Sequence, residues 1–246
     1  MKENEVHSNV LIAGRPQFGK TYFTERLAEK INAGGGFVFV YNPGRPSDWS
    51  NAIEATPVHP KKIAAKKGLQ KPSDIKAFVD ACETIDFWEV EGLYYNSADI
   101  PTAFKGKQLK MYRDVELEQR FYATVFKYFH GGLLVLDDNR SAGRRTPNLL
   151  QLYSRINHTG KAFTKKPGMN ICVVYHNLDT PPRELFDYLT HIVLFQVNRA
   201  PDGLKMPELE AALVENVEWL NTAPKYSRCE IHLMGAEIIT KKILKK

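Results

Sequence analysis

The sequence predicts an α/β protein with a mostly parallel central sheet flanked by helices. Three observations carry this. Short apolar runs recur along the 246 residues, at 10–13, 37–41, 133–136, 171–175 and 192–195, and a run without polar alternation marks a strand buried on both faces. Segments of helical periodicity lie between them, the alternation that builds a parallel sheet. The first run stops at Gly14, the second at Asn42-Pro43-Gly44 and the third at Asp137-Asp138, residues suited to turning a strand away from its sheet.

Taken in order, Val10 to Ala13 is a buried strand entering a glycine turn, and a helix follows in which Phe23, Leu27 and Ile31 recur every four residues. Gly34-Gly35-Gly36 ends that helix. Phe37 to Tyr41 is the second strand. Residues 45–110 scatter Pro, Trp and Lys and give one clear expectation, a helix from Ser73 to Thr84 with Ser73 as its cap. The rest of that segment is an insertion without an assigned place. Val115 to Phe129 reads as a helix and Leu133 to Leu136 as a strand. A helix from Pro147 to Asn157, a strand from Asn170 to Tyr175, a short helix from Pro182 to Leu189 and a strand from His191 to Val197 complete the pattern. A helix from Pro207 to Leu220 and a strand from Arg228 to Met234 follow, and no linker splits the chain. One domain spanning 1–246 is expected, ending in a basic tail, 241–246.

Composition bounds the function. With 43% apolar residues and a net charge of +6 (34 Lys and Arg against 28 Asp and Glu), the chain is of ordinary globular type. Its longest apolar runs are far short of the ~20 residues a bilayer span requires, so an integral membrane protein is not expected. Residues 1–9 mix Lys2, Glu3 and Glu5 with no apolar stretch, which argues against a cleaved export signal and for a cytoplasmic location. Cys82, Cys172 and Cys229 are widely spaced and odd in number, the pattern of core or surface thiols rather than a disulfide frame or zinc site. The cations are unevenly placed: Arg140, Arg144, Arg145, Arg155, Lys161, Lys165 and Lys166 occur with no acid among them. A polyanion is the expected partner.

Gly14-Arg15-Pro16-Gln17-Phe18-Gly19-Lys20-Thr21 fits G-x-x-x-x-G-K-[ST] between a strand and a helix. That spacing lets successive backbone N–H groups and the helix terminus converge on a β-phosphate. Lys20 would reach the β- and γ-oxygens, and the Thr21 hydroxyl would hold Mg²⁺. Such a site needs acids at the end of another buried strand. Leu133 to Leu136 supplies Asp137, read as the magnesium-side carboxylate, and Asp138, read as the general base for hydrolysis. His176 and Asn177 end another strand, at the edge where ligands sit in open α/β sheets, and are candidates to sense the γ-phosphate. Arg155, beyond the acidic strand, is the candidate arginine finger, with Arg144 and Arg145 as the next choices.

These residues resemble the additional-strand class of P-loop ATPases and, within it, the HerA/FtsK-type DNA pumps, especially the genome-packaging ATPases of membrane-containing viruses. The resemblance covers roughly residues 8–200 and rests on Gly14 to Thr21, Leu133 to Asp138, the helix bearing Arg155, and Asn170 to Asn177 leading to Phe195. It implies an ATP- and Mg²⁺-dependent ring, usually a hexamer, threading DNA through a basic channel that Arg144 and Arg145 would line. It also implies capsid or membrane-vertex partners in the host cytoplasm. Asp138 stands where such ATPases usually have Glu, and Phe18 where a small residue is frequent. A filamentous-phage assembly or DNA-transfer ATPase shares the motifs, and a small-molecule P-loop kinase is the alternative from another class.

Overall fold

The computed structural model describes residues 8–45, 47–137, 152–154, 169–234 and 237–245. The first half of the chain runs β1 (Asn9–Ala13), α1 (Lys20–Ala33), β2 (Phe37–Tyr41), β3 (Ile53–Pro57), α2 (Pro60–Lys66), α3 (Pro72–Asp80), β4 (Phe87–Val90) and β5 (Leu93–Asn96). It continues with α4 (Ile100–Ala103), β6 (Gln108–Met111), α5 (Glu118–Tyr128), β7 (Gly132–Leu136), β8 (Met169–Tyr175), α6 (Arg183–Phe186), β9 (His191–Leu194), α7 (Pro207–Thr222), β10 (Arg228–Met234) and β11 (Glu237–Ile243). These strands form one sheet in the order β11-β10-β9-β1-β8-β7-β2-β6-β3-β4-β5. Every pair from β9 to β3 is parallel, and antiparallel strands close both flanks.

The central strands are apolar throughout because both of their faces are covered. Leu11 and Ala13 of β1, with Leu134 and Leu136 of β7, enter one core beside Phe121 and Val125 of α5. Val10 and Ile12, with Leu133 and Val135, enter the other beside Ala28 of α1. Each of the Leu, Ile, Val and Phe side chains among them contributes about 1.5–3 kcal/mol by burial, so two-sided packing rather than strand propensity holds the sheet together. On α1 the buried positions are Lys20, Thr24 and Ala28. Phe23, Leu27 and Ile31 flank that line, partly buried, so the small Thr24 and Ala28 bring the helix close to the sheet and the larger side chains seal its edges.

Several boundaries differ from the sequence reading, each for a local reason. Pro72 begins α3, and Ser73 does not cap it: its hydroxyl donates to Asp74 Oδ1 at 3.1 Å. The helix stops at Asp80 rather than Thr84. Asp114 delays α5 to Glu118 by accepting from the N–H groups of Glu116 and Leu117, an Asx turn that competes with helix. Strand β9 ends at Leu194, and α6 spans only Arg183–Phe186. Of the helix expected over Pro147 to Asn157, residues 152–154 are helical and the rest lies outside the described residues.

Residues 45–110 add β6, β3, β4 and β5 to the β2 side of the sheet. Trp88, Val90, Ile100 and Phe104 share the core of β1 and β7, with the Trp88 ring 5.3 Å from that of Phe39. At the opposite flank Lys241, Lys242 and Ile243 belong to β11. Among the described residues, no helix is long and apolar enough to cross a membrane.

Candidate active site

The turn after β1 is held by the tips of its two neighbours. Gly14 N–H donates to Tyr175 O of β8 at 3.2 Å, and Arg15 N–H to Gln196 O beyond β9 at 2.8 Å. A Cβ at Gly14 would lie 2.6 Å from Phe195 Cβ, so only glycine lets the chain pass there. Gln17 (φ 65) and Gly19 (φ 96) adopt left-handed conformations, curling the loop so that α1 starts at Lys20. The helix has no side-chain cap and no acid in its first turn. Its terminal N–H groups and the positive end of its dipole therefore face the loop.

Lys20 is only 6% exposed. Its ammonium donates to Gly14 O at 2.6 Å and Arg15 O at 2.9 Å, and lies 3.3 Å from His176 Nδ1. An ammonium can only donate, so this contact selects the His176 tautomer with its proton on Nε2. The cation is thus stretched across the loop, and a short movement carries it onto an oxygen bound there.

Asp137 is 5% exposed and continues the β7 ladder by donating its N–H to Tyr41 O at 2.9 Å. The indole N–H of Trp49 donates to its Oδ2 at 3.0 Å, a charge-assisted bond that orients the carboxylate. Trp49 is itself fixed. Its N–H donates to Glu25 Oε1 of α1, its carbonyl accepts from Lys110 Nζ of β6, and its φ is 58. Asn42 (φ 60) donates its side-chain amide to Asp137 O at 3.2 Å. Burial, reinforced by the nearby Asp137 carboxylate, pushes the Cys172 thiol well above its ordinary value. That thiol is a packing group rather than a nucleophile.

One cleft of about 270 Å³ collects Pro16 and Gln17 from the loop, Lys20 and Thr21 from the start of α1, Asp137 just after β7, Val174 and Tyr175 from β8 with His176 just beyond it, and Gly44, Arg45 and Asp48 from the turn after β2. Gly14, Arg15, Phe18 and Gly19 build the loop itself, with Arg15 Nε donating to Asn198 Oδ1 at 2.9 Å. Asn177 follows His176 and is not among the residues lining the cleft. Asp138, Arg144, Arg145 and Arg155 lie outside the described residues.

Sequence reasoning missed Arg45, Asp48 and Trp49. For the first two a signal existed: β2 is parallel to β7, so the turn after Tyr41 emerges at the same sheet edge as Asp137. Nothing local marked Trp49. A second cavity, about 290 Å³, lies among His59, Phe78, Cys82, Asp86 and Arg120. It contains no residue of the Gly14–Thr21 loop.

The residues present fit a nucleotide and Mg²⁺. The cradle at Gly14 excludes a side chain, the start of α1 offers N–H groups, and Lys20 adds a buried cation. One hydroxyl (Thr21) and one carboxylate (Asp137) form the sparse oxygen set that suits Mg²⁺ shared with phosphates and water. Among the described residues, no group of three His, Cys, Asp or Glu side chains is placed to hold a metal ion.

No family model matches the chain, and no curated protein matches it. Solved structures do. The genome packaging NTPase of Sulfolobus turreted icosahedral virus 2 in complex with AMPPCP superposes with a TM-score of 0.59 at 13% identity, covering 97% of this chain and 98% of that one. The same NTPase with sulfate gives 0.58 at 13% identity, over 98% of each chain. The DNA-packaging ATPase of Sulfolobus turreted icosahedral virus gives 0.53 at 13% identity, over 97% and 98%. The chain shares the fold of these NTPases, and β8 lies between β1 and β7, the place of the additional strand that the resemblance implied.

Proposed function

We propose that the chain is a DNA translocase that hydrolyses Mg-ATP to move a viral or phage genome into a capsid. The observation that carries this is the convergence of Lys20, Thr21, Asp137 and His176 on one cleft at the strand tips. The fold shared with viral packaging NTPases supports the setting.

Bound Mg-ATP supplies a γ-phosphoryl group whose charge the metal partly neutralises. Lys20 holds the β- and γ-oxygens, while Thr21 and Asp137 hold the metal. Asp138 accepts the proton of the attacking water. Of the two candidates His176 and Asn177, His176 registers the γ-phosphate, through its contact with Lys20. Arg45, at the rim of the same cleft, adds positive charge from the chain itself. Arg155 reaches the next subunit's site within a ring, hexameric in this reading, and Arg144 and Arg145 meet DNA phosphates without reading bases. Capsid or membrane-vertex proteins in the host cytoplasm are the docking partners.

The test is ATP turnover by purified protein with no DNA, single-stranded DNA or duplex DNA, alongside its mass in solution. DNA-stimulated turnover by a ring is expected, and Lys20→Ala should abolish it, because that cation gains strength as charge moves in the transition state. Turnover by Lys20→Ala within about threefold of the parent would overturn the assignment, a margin too small for loss of such a group.

A further inference from the structure

The turn joining α7 to β10, residues 223–227, holds an aromatic ring against the phosphate loop. Tyr226 has φ 70, a conformation uncommon for a bulky residue that gathers at functional sites. Its neighbours enforce it: Ser227 N–H donates to Pro224 O at 3.0 Å, and Lys245 N–H donates to the Ser227 hydroxyl at 3.4 Å. Tyr226 is 41% exposed, and Lys245 Nζ lies 5.1 Å from its ring centroid. A Cβ at Gly19 would stand 3.6 Å from Tyr226 Cδ1. The Phe18 ring is 6.5 Å from the Tyr226 ring, tilted by 48°. Lys225 Nζ faces both, 5.3 Å from the Phe18 centroid and 5.1 Å from that of Tyr226.

We propose that Phe18, Tyr226 and Lys225 form the nucleobase subsite of the nucleotide whose phosphates occupy the loop. The proposal rests on the nucleotide reading above and adds where the base lies. The γ-phosphate end points to Asp137, on the β7 side of β1. The ribose and base therefore leave on the other side, towards β9 and β10, where these rings stand. Lys225 and Lys245 sit on flexible stems, so a base can replace an ammonium over the rings and stack there, freeing a cation for a phosphate. The subsite also accounts for Phe18, a bulky residue at a loop position that phosphate binding leaves unspecified.

The experiment compares Mg-ATP with Mg-tripolyphosphate, which offers phosphates without ribose or base, by calorimetric titration of the full chain. The parent should bind ATP at least about tenfold more tightly. Tyr226→Asn removes the ring while keeping a residue tolerant of the left-handed conformation. It should weaken ATP about tenfold to a hundredfold, the range for one stacked base, and leave tripolyphosphate unchanged, whereas Tyr226→Trp should retain ATP affinity. Phe18→Leu, within the loop itself, supplies a second variant on the other ring and should weaken ATP more than tripolyphosphate. Equal loss of both ligands in both variants, no loss in either, or equal parent affinity for the two ligands overturns the subsite. If Lys20→Ala binds both ligands as the parent does, the phosphate-loop reading itself fails, and this proposal with it.

Discussion

The buried ammonium of Lys20 and the buried carboxylate of Asp137 are affordable for different reasons. Lys20 replaces its lost hydration with two loop carbonyls, and Asp137 leans on the indole of Trp49. Trp49→Phe keeps most of the apolar volume but removes that donor. It should cost about 1.5–3 kcal/mol in denaturant unfolding, as for a hydrogen bond to a charged group. It should also raise the Mg²⁺ concentration needed for half-maximal turnover. An unchanged metal requirement would mean that Trp49 only fills space. Lys20, Thr21 and Asp137 were legible in the sequence because their chemistry is written in contiguous spacing beside a strand. Trp49 was not, since it stands 88 residues from the carboxylate it serves. Arg45 and Asp48 fall between: strand order places them, and strand order is not local information.

Buried elements announced themselves and edge elements did not. Strands β1, β2, β7 and β8 are covered on both faces, so each is a continuous apolar run. Strands β3 and β5 read Ile-Glu-Ala-Thr-Pro and Leu-Tyr-Tyr-Asn and are mostly half-buried or exposed, too short and mixed for periodicity to separate them from loop. The β9–β10 junction carries a pH-sensitive histidine, His191. His191 and His232 face each other across the antiparallel ladder, with rings 4.6 Å apart. Burial first, and the facing His232 second, lower the His191 pKa from its ordinary 6.5, with Glu230 acting the other way. The unfolded chain therefore binds a proton near that ordinary value while the folded chain resists it. The resulting stability is fully present above the unfolded pKa and is lost as pH falls through the folded one. The melting temperature should drop between about pH 7.5 and about pH 5.5, and His191→Gln should flatten that drop. An equal decline in His191→Gln would assign the acid sensitivity to other groups.

On the scale of the whole molecule, the cleft opens at the strand tips, and the proposed ring completes it with Arg155 from a neighbour. Arg155→Ala should bind ATP normally yet hydrolyse it ~10³-fold more slowly. Mixed with Lys20→Ala protein, it should regain some turnover, because some interfaces then pair an intact loop with an intact arginine. Rings shown to have exchanged subunits and still inactive would rule out a role for Arg155 in trans, leaving Arg144 or Arg145 to test. The sheet order also sets a timetable for synthesis. Strand β1 is made first, but its partners β8 and β9 come much later, as in the bond from Ser8 N to Asn170 Oδ1 across 162 residues. At ~5–20 residues per second, a ribosome leaves β1 without either neighbour for roughly 10–30 s. The residues that hold Gly14 and Arg15 in place arrive with those late strands. A nascent chain therefore carries the complete Gly14–Thr21 motif long before it has a shaped loop, which forms only once residues up to Gln196 have been made.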